Sequence, residues 1–246
     1  MLTDYDGTLS FIVQDRDKAV PLPGVRGIIS ALASRLSVVA VVSGRPVGYL
    51  ESQLGRSPLV TLVGLYGLER IENGKYQVME AAAQWEGPVA AAASAAAREA
   101  PPGLEVETKR LTVALHSRRA PETLHWAQQW AAERAISSGL VAQRGRFSVE
   151  LLPPVRTDKG TVVEQLTAPL SSVCFFGDDS GDLPAFSALR RLRSAGKATI
   201  AVGVESIEEP DGLADAVDLL VGGPEEAVAL LSSLAVGKSP PVPSGG

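Results

Sequence analysis

The chain alternates short, nearly unbroken apolar runs with stretches whose apolar residues recur every three or four positions. Ser37 to Val42, Leu59 to Val63, Val173 to Phe176 and Thr199 to Val204 are of the first kind, and read as strands buried on both faces of a parallel sheet. Val25 to Leu36 is of the second kind: Val25, Ile28, Ile29, Leu32 and Leu36 share one face and predict a helix. Further helices are expected over Val47 to Leu54, Gly160 to Leu166 and Glu225 to Leu234, with another opening near Pro184, a residue suited to a first helical turn. Met1-Leu2-Thr3 is a short apolar lead, Ala216 to Val221 contains one more short strand, and Arg70 to Val78 reads as a hairpin turned at Asn73-Gly74. Strands alternating with helices predict an α/β fold, a doubly wound and mostly parallel sheet. Leu9 to Pro23 predicts an irregular segment.

Between Ala81 and Leu152 the pattern changes. An alanine-rich helix over Ala81 to Ala100 precedes strictly alternating stretches. Leu104 and Val106 oppose Glu105, Glu107 and Lys109; Leu111, Val113 and Leu115 oppose Thr112, His116 and Arg118. After a helix from about Pro121 to Ser138, Val141 to Arg144 and Arg146 to Leu151 form a hairpin in which Phe147, Val149 and Leu151 alternate with Arg146, Ser148 and Glu150. These are antiparallel strands with one apolar and one polar face, and two helices to cover the apolar one. The expected division is a core of residues 1–79 and 153–235, an inserted α+β cap of residues 80–152, and a Pro/Ser/Gly tail of residues 236–246 expected to be disordered.

Composition narrows the class. Hydrophobic residues make up 45% and charged residues 21% of the 246, an ordinary globular balance, and the net charge of −5 disfavours nucleic acid as a partner. Cys174 alone forms no internal disulfide, which suits a reducing cytoplasm. No apolar stretch is long enough for a membrane span, and nothing ahead of Asp4 reads as a secretory leader. Leu2 and Thr3 give the first strand fewer apolar residues than a buried strand usually has, which leaves open a start upstream of Met1.

Polar residues gather where core strands end or helices begin: Asp4 with Asp6, Ser43, Lys159, and Asp178-Asp179 with Asp182. Ligands of open α/β sheets bind at the carboxyl ends of strands, so these groups are expected to meet in one crevice. With the lead as a strand, period-2 geometry turns Asp4 and Asp6 to the same side. So many carboxylates together call for a hard cation, and oxygen donors alone favour Mg²⁺. A lysine and a hydroxyl beside that cation suit a phosphoryl group. Taken singly the residues have plainer readings: Ser43 as a helix cap, Asp182 as a cap, Lys159 as a solvated lysine, Arg45 as a surface charge, His116 as a sheet residue. No catalytic part is expected of His125, and Tyr66 reads as packing.

The ordered set Asp4-Tyr5-Asp6-Gly7-Thr8, Ser43-Gly44-Arg45, Asp158-Lys159-Gly160 and Gly177-Asp178-Asp179 resembles the haloacid dehalogenase superfamily. Val106-Glu107-Thr108-Lys109, His116-Ser117-Arg118 and Val149-Glu150-Leu151-Leu152-Pro153-Pro154 make it similar to that superfamily's trehalose-6-phosphate phosphatases. Two departures stand out. The family usually carries His where this chain has Tyr66, and more often Thr-Asp-Glu where this chain has Gly181-Asp182-Leu183.

The resemblance implies Asp4 as nucleophile, Asp6 as general acid and base, and Ser43 and Lys159 as ligands of the phosphoryl oxygens. It implies Mg²⁺ on Asp4, on the backbone carbonyl of Asp6 and on Asp178, with Asp179 and Asp182 orienting Lys159 and the metal's waters. Gly44 and Arg45 are implied phosphate neighbours. Glu107, Lys109, Glu150 and Arg118 are implied sugar contacts, on a cap that closes over the crevice. The expected activity is Mg²⁺-dependent hydrolysis of trehalose 6-phosphate by a monomer, with no nucleic-acid or membrane partner. The alternatives are another sugar phosphatase, for example one acting on sucrose phosphate, and a non-catalytic sugar-phosphate sensor.

Overall fold

The computed structural model describes residues 1–13, 18–207 and 210–237. Of the tail expected over residues 236–246, Val236 belongs instead to the last helix and Gly237 caps it, and Lys238 onward lies outside the described residues, as does part of the irregular segment before Pro23. The chain forms two compact units, residues 1–77 with 157–246, and residues 78–156.

The first unit is laid out as β1 (Leu2–Thr3), α1 (Val25–Ala33), β2 (Val39–Val42), α2 (Val47–Leu54), β3 (Val60–Gly64), β4 (Glu69–Glu72) and β5 (Lys75–Val78). The second unit follows, with α3 (Glu80–Ala83), α4 (Glu86–Glu99), β6 (Glu105–Thr108), β7 (Val113–His116), α5 (Leu124–Ser138), β8 (Val141–Arg144) and β9 (Ser148–Leu152). The chain then returns through α6 (Lys159–Thr167), β10 (Ser172–Gly177), α7 (Leu183–Ser194), β11 (Ala198–Val204), α8 (Leu213–Ala216), β12 (Leu219–Val221) and α9 (Pro224–Val236).

Eight strands form one sheet in the order β12-β11-β10-β1-β2-β3-β4-β5. It is parallel from β12 to β3, and β4 joins antiparallel. The apolar runs are continuous because the sheet is buried on both sides. Val39, Val41, Val60 and Leu62 face α1, α2 and α9, while Leu2, Ala40, Val42, Val63 and Phe175 face α6 and α7. Phe175 meets Phe186 of α7 edge to face at 5.7 Å; truncating a fully buried ring of this kind costs about 3–5 kcal/mol. The hairpin turns where expected, with Asn73 and Gly74 both at positive φ, as a two-residue turn of the primed kind requires.

The second unit is an antiparallel sheet, β6-β7-β9-β8, with α4 and α5 on one face. Val113, Leu115, Val149 and Leu151 meet Ala92, Ala96, Ala127 and Trp130 there. The alanine-rich stretch is not one helix: it breaks at Gln84-Trp85, and Trp85 joins the core beneath. Helix α1 likewise ends at Ala33, earlier than its apolar spacing suggests, with Ser34 satisfying carbonyls of the last turn.

Candidate active site

Strand β1 is central, between β10 and β2, so the residues that follow these three strands are neighbours. Asp4 follows β1 and is fixed by its amide, which donates to the Phe176 carbonyl at 2.8 Å. Ser43 follows β2, and Asp178 follows β10. Lys159 opens α6, a helix capped by Asp158, whose carboxylate accepts the Thr161 amide at 2.7 Å. Asp4, Ser43, Lys159, Asp178 and Asp182 are all buried.

The Lys159 ammonium joins the carboxylates, lying 2.8 Å from Asp4 Oδ1 and 2.6 Å from Asp182 Oδ1. The other oxygen of Asp182 accepts the backbone amides of Asp178 at 2.9 Å and Asp179 at 3.2 Å. Asp179 in turn accepts the Gly181 amide at 2.8 Å, which completes a capping box ahead of α7. Asp182 therefore caps the turn and anchors Lys159 at once. Burial lowers the Lys159 pKa, but Asp182, Asp4 and Asp179 outweigh it, and the ammonium is held charged.

One oxygen from each of Asp4, Asp178 and Asp182 lies within 4.8 Å of the others. Burial pushes the Asp4 carboxyl well up, against the pull of Lys159. Burial, followed by Asp182 and Asp179, pushes Asp178 up to about 8, and burial pushes Asp182 up to about 6. Among the described residues neither carboxylate oxygen of Asp178 lies within hydrogen-bond distance of a partner, while the nearby Ser206 side chain lowers its pKa. Buried polar atoms without partners are rare, and an all-oxygen donor set holding such atoms suits a hard divalent cation. Gly7, at φ +74°, makes room here: a β-carbon on it would fall 2.0 Å from Asp178 Oδ2.

Asp6 is placed differently from the alternation argument. The strand ends at Thr3, so period-2 geometry does not extend to Asp6. Its carboxylate is held by the Arg45 fork, Nε to Oδ2 at 2.8 Å and Nη2 to Oδ1 at 2.7 Å. Arg45 is buried, and its guanidinium lies 4.6 Å from the centroid of the Tyr49 ring. The Tyr49 hydroxyl and the Tyr5 hydroxyl both donate to the Ala19 carbonyl, each at 2.7 Å. The Ser43 hydroxyl accepts the Arg45 amide at 3.1 Å, a local turn contact that leaves its own proton available. Gly44 is packed against Tyr66.

In the second unit the polar face of the sheet carries its own cluster. Lys109 is buried, with its ammonium 2.9 Å from Glu150 Oε1 and 3.7 Å from Glu107 Oε2. His116 Nε2 lies 2.9 Å from the same Glu107 oxygen, and the Thr112 hydroxyl donates to Glu150 Oε1. Arg118, beyond β7, lies over the Phe147 ring at 5.8 Å, with Arg146 at 5.5 Å from it. Thr112 was legible as a member of the polar face but not as the partner of Glu150. The fork between Arg45 and Asp6 left no sequence signal, because the two residues are 39 positions apart.

A model of the trehalose-phosphatase family matches residues 2–214. The chain is 35% identical over 200 residues to a trehalose-phosphate phosphatase of Mycobacterium marinum, covering 76% of this chain and 50% of that protein. It is 36% identical over 201 residues to the one from Mycolicibacterium paratuberculosis, again covering 76% and 50%. The chain thus spans about half the length of the curated relatives it matches. Among solved structures, a trehalose-6-phosphate phosphatase related protein aligns with a TM-score of 0.81 at 20% identity, over 96% of this chain and 97% of that one. The C-terminal domain of the C. albicans trehalose-6-phosphate phosphatase aligns with a TM-score of 0.73 at 22% identity, over 97% and 91%. At these identities the structures speak to the fold, which they share.

Proposed function

The chain belongs to the trehalose-phosphatase family, and from that premise we propose that it hydrolyses trehalose 6-phosphate to trehalose and phosphate through an aspartyl-phosphate. The observation that carries this reading is the buried cluster in which Lys159 ties Asp4 to Asp182 beside the buried carboxyl of Asp178. A carboxylate oxygen of Asp4 attacks phosphorus, and the bond from phosphorus to the sugar oxygen breaks. Asp6 delivers a proton to that oxygen, and trehalose leaves. Asp6 then takes a proton from water as the water attacks phosphorus, the bond to Asp4 breaks, and phosphate is released. The Arg45 fork occupies one acceptor site on each Asp6 oxygen and leaves another on each for the proton.

Lys159 offsets charge on the phosphoryl oxygens, and the Ser43 hydroxyl donates to one of them. A divalent cation, Mg²⁺ in this reading, would be held by Asp4, Asp178 and the Asp6 carbonyl, and would supply charge neutralisation for carboxylates and phosphate together. Asp179 and Asp182 hold Lys159 and the loop in place.

Residues 80–152 form the sugar-recognition domain in this reading, and residues 1–79 with 153–235 the catalytic one. Glu107, Lys109 and Glu150 take the sugar hydroxyls. These groups pair with one another in the cluster, so a sugar is held only where its hydroxyls extend or replace those contacts, and another hydroxyl pattern binds less well. The setting is a reducing cytoplasm, in keeping with a lone cysteine. Phosphate release from trehalose 6-phosphate, sucrose 6-phosphate and glucose 6-phosphate, with Mg²⁺ and with excess chelator, tests the proposal. Release from trehalose 6-phosphate foremost, and only with the metal, is expected. Equal rates on all three, or full activity in chelator, would overturn it.

A further inference from the structure

Tyr66 has a strained backbone and crowded surroundings. It sits at φ 58° and ψ 25°, after Leu65 at φ 50°. Side chains with a β-carbon rarely adopt this left-handed conformation, and two in succession persist only where the surroundings enforce them. Here the surroundings are three loops. The Tyr66 amide donates to the Ser43 carbonyl at 3.1 Å, and the preceding amide of Leu65 donates to the Arg45 carbonyl at 3.0 Å. The Tyr66 carbonyl accepts the Thr157 hydroxyl at 2.9 Å, two residues before Lys159. The ring packs on Gly44, where a β-carbon would fall 2.6 Å from Cζ, and reaches the loop before α7, where a β-carbon on Gly181 would be 3.7 Å from Cε1.

We infer that Tyr66 is a positioning residue, a strained clasp that fixes the Ser43, Lys159 and Asp178–Asp182 loops relative to one another. The backbone ties hold the first two loops, and the ring wedges between the first and the third. The inference rests on the proposed phosphatase reading for what those loops bind, namely a phosphoryl group. Glycine tolerates the backbone conformation without a ring, so Tyr66→Gly separates positioning from folding. Phenylalanine keeps the ring and removes only the hydroxyl.

The test uses the full chain. Tyr66→Gly should keep its Tm, lose about tenfold or more in turnover of both trehalose 6-phosphate and an aryl phosphate, and weaken inhibition by inorganic phosphate by a similar factor. Tyr66→Phe, which keeps the ring, should lose clearly less than Tyr66→Gly on every readout, and Thr157→Val should move in the direction of Tyr66→Gly. A wild-type Tyr66→Gly enzyme, a loss tracked by a fall in Tm, or a Tyr66→Phe loss equal to that of Tyr66→Gly would each overturn the clasp. If the parent protein hydrolyses neither substrate, the phosphatase reading fails. The clasp is then judged by the rise in Tm that inorganic phosphate produces, which should be smaller in Tyr66→Gly.

Discussion

Replacing Asp178 by Asn should stabilise the metal-free protein while removing its response to Mg²⁺. The carboxyl is buried, lies outside hydrogen-bond distance of any partner among the described residues, and is pushed up to about 8 from an ordinary 3.8. A carboxyl with a raised folded pKa contributes stability fully present below its unfolded pKa and lost as pH rises through its folded value. For Asp178 that window runs from about 4 to about 8. Roughly four units at ~1.4 kcal/mol each set a ceiling of about 6 kcal/mol above the window, and about 4 kcal/mol at neutral pH. Entry of water and coupling to Asp4 and Asp182 take back part of this, so a gain of about 2–4 kcal/mol is expected, or roughly 5–10 °C in Tm for a chain of this size. Asn keeps the shape, and its amide can donate to the flanking carboxylates. The assay is thermal unfolding of both proteins from pH 5 to 9, in chelator and in excess Mg²⁺. The parent should lose stability toward alkaline pH in chelator and regain it with Mg²⁺; the variant should show a flatter pH profile and no gain from the metal. A variant less stable than the parent at pH 8 in chelator, or still stabilised by Mg²⁺, would refute the reasoning.

Other substitutions separate the remaining roles. Asp4→Asn should abolish turnover, by at least about 10⁴-fold, with an unchanged circular dichroism spectrum. Arg45→Ala should slow formation of the phosphoenzyme from trehalose 6-phosphate by about 10- to 100-fold, because Asp6 loses its fixed orientation. It should spare the first turnover of an aryl phosphate, whose leaving group needs no proton; stopped-flow release of the aryl alcohol reads this directly. Glu107→Ala, Lys109→Ala and Glu150→Ala should each cut kcat/KM for trehalose 6-phosphate by about 10²-fold or more while leaving slow aryl phosphate hydrolysis within a few-fold. Equal losses on both substrates would return these residues to a supporting role.

The sheet was legible because a strand buried on both faces has nowhere to put a polar residue, and Ser37 to Val42 or Val173 to Phe176 admit little else. The hairpin at Asn73-Gly74 was legible because its turn demands positive φ twice. What periodicity did not reveal were choices made by distant partners. Trp85 breaks an otherwise favourable helix because its ring is drawn into the core of the second unit. Asp6 turns to Arg45 because a buried guanidinium needs a carboxylate more than the end of a two-residue strand needs alternation. Asp182 read equally as a cap and as an anchor for Lys159, and each of its oxygens does one of the two. The residues of the cluster were named from spacing and resemblance, but the burial of Asp178 beside Asp4 and Asp182 emerges only once the chain is folded.

The proposed mechanism requires that Asp4 become covalently phosphorylated. Mixing the full chain with trehalose 6-phosphate and Mg²⁺, quenching in acid within the first turnover, and analysing the peptides by mass spectrometry tests this directly. One phosphoryl group on the peptide carrying Asp4, absent from Asp4→Asn and lost on raising the pH of the quenched sample, is the predicted result. Full release of phosphate in that first turnover with no phosphorylated peptide at any quench time would contradict it.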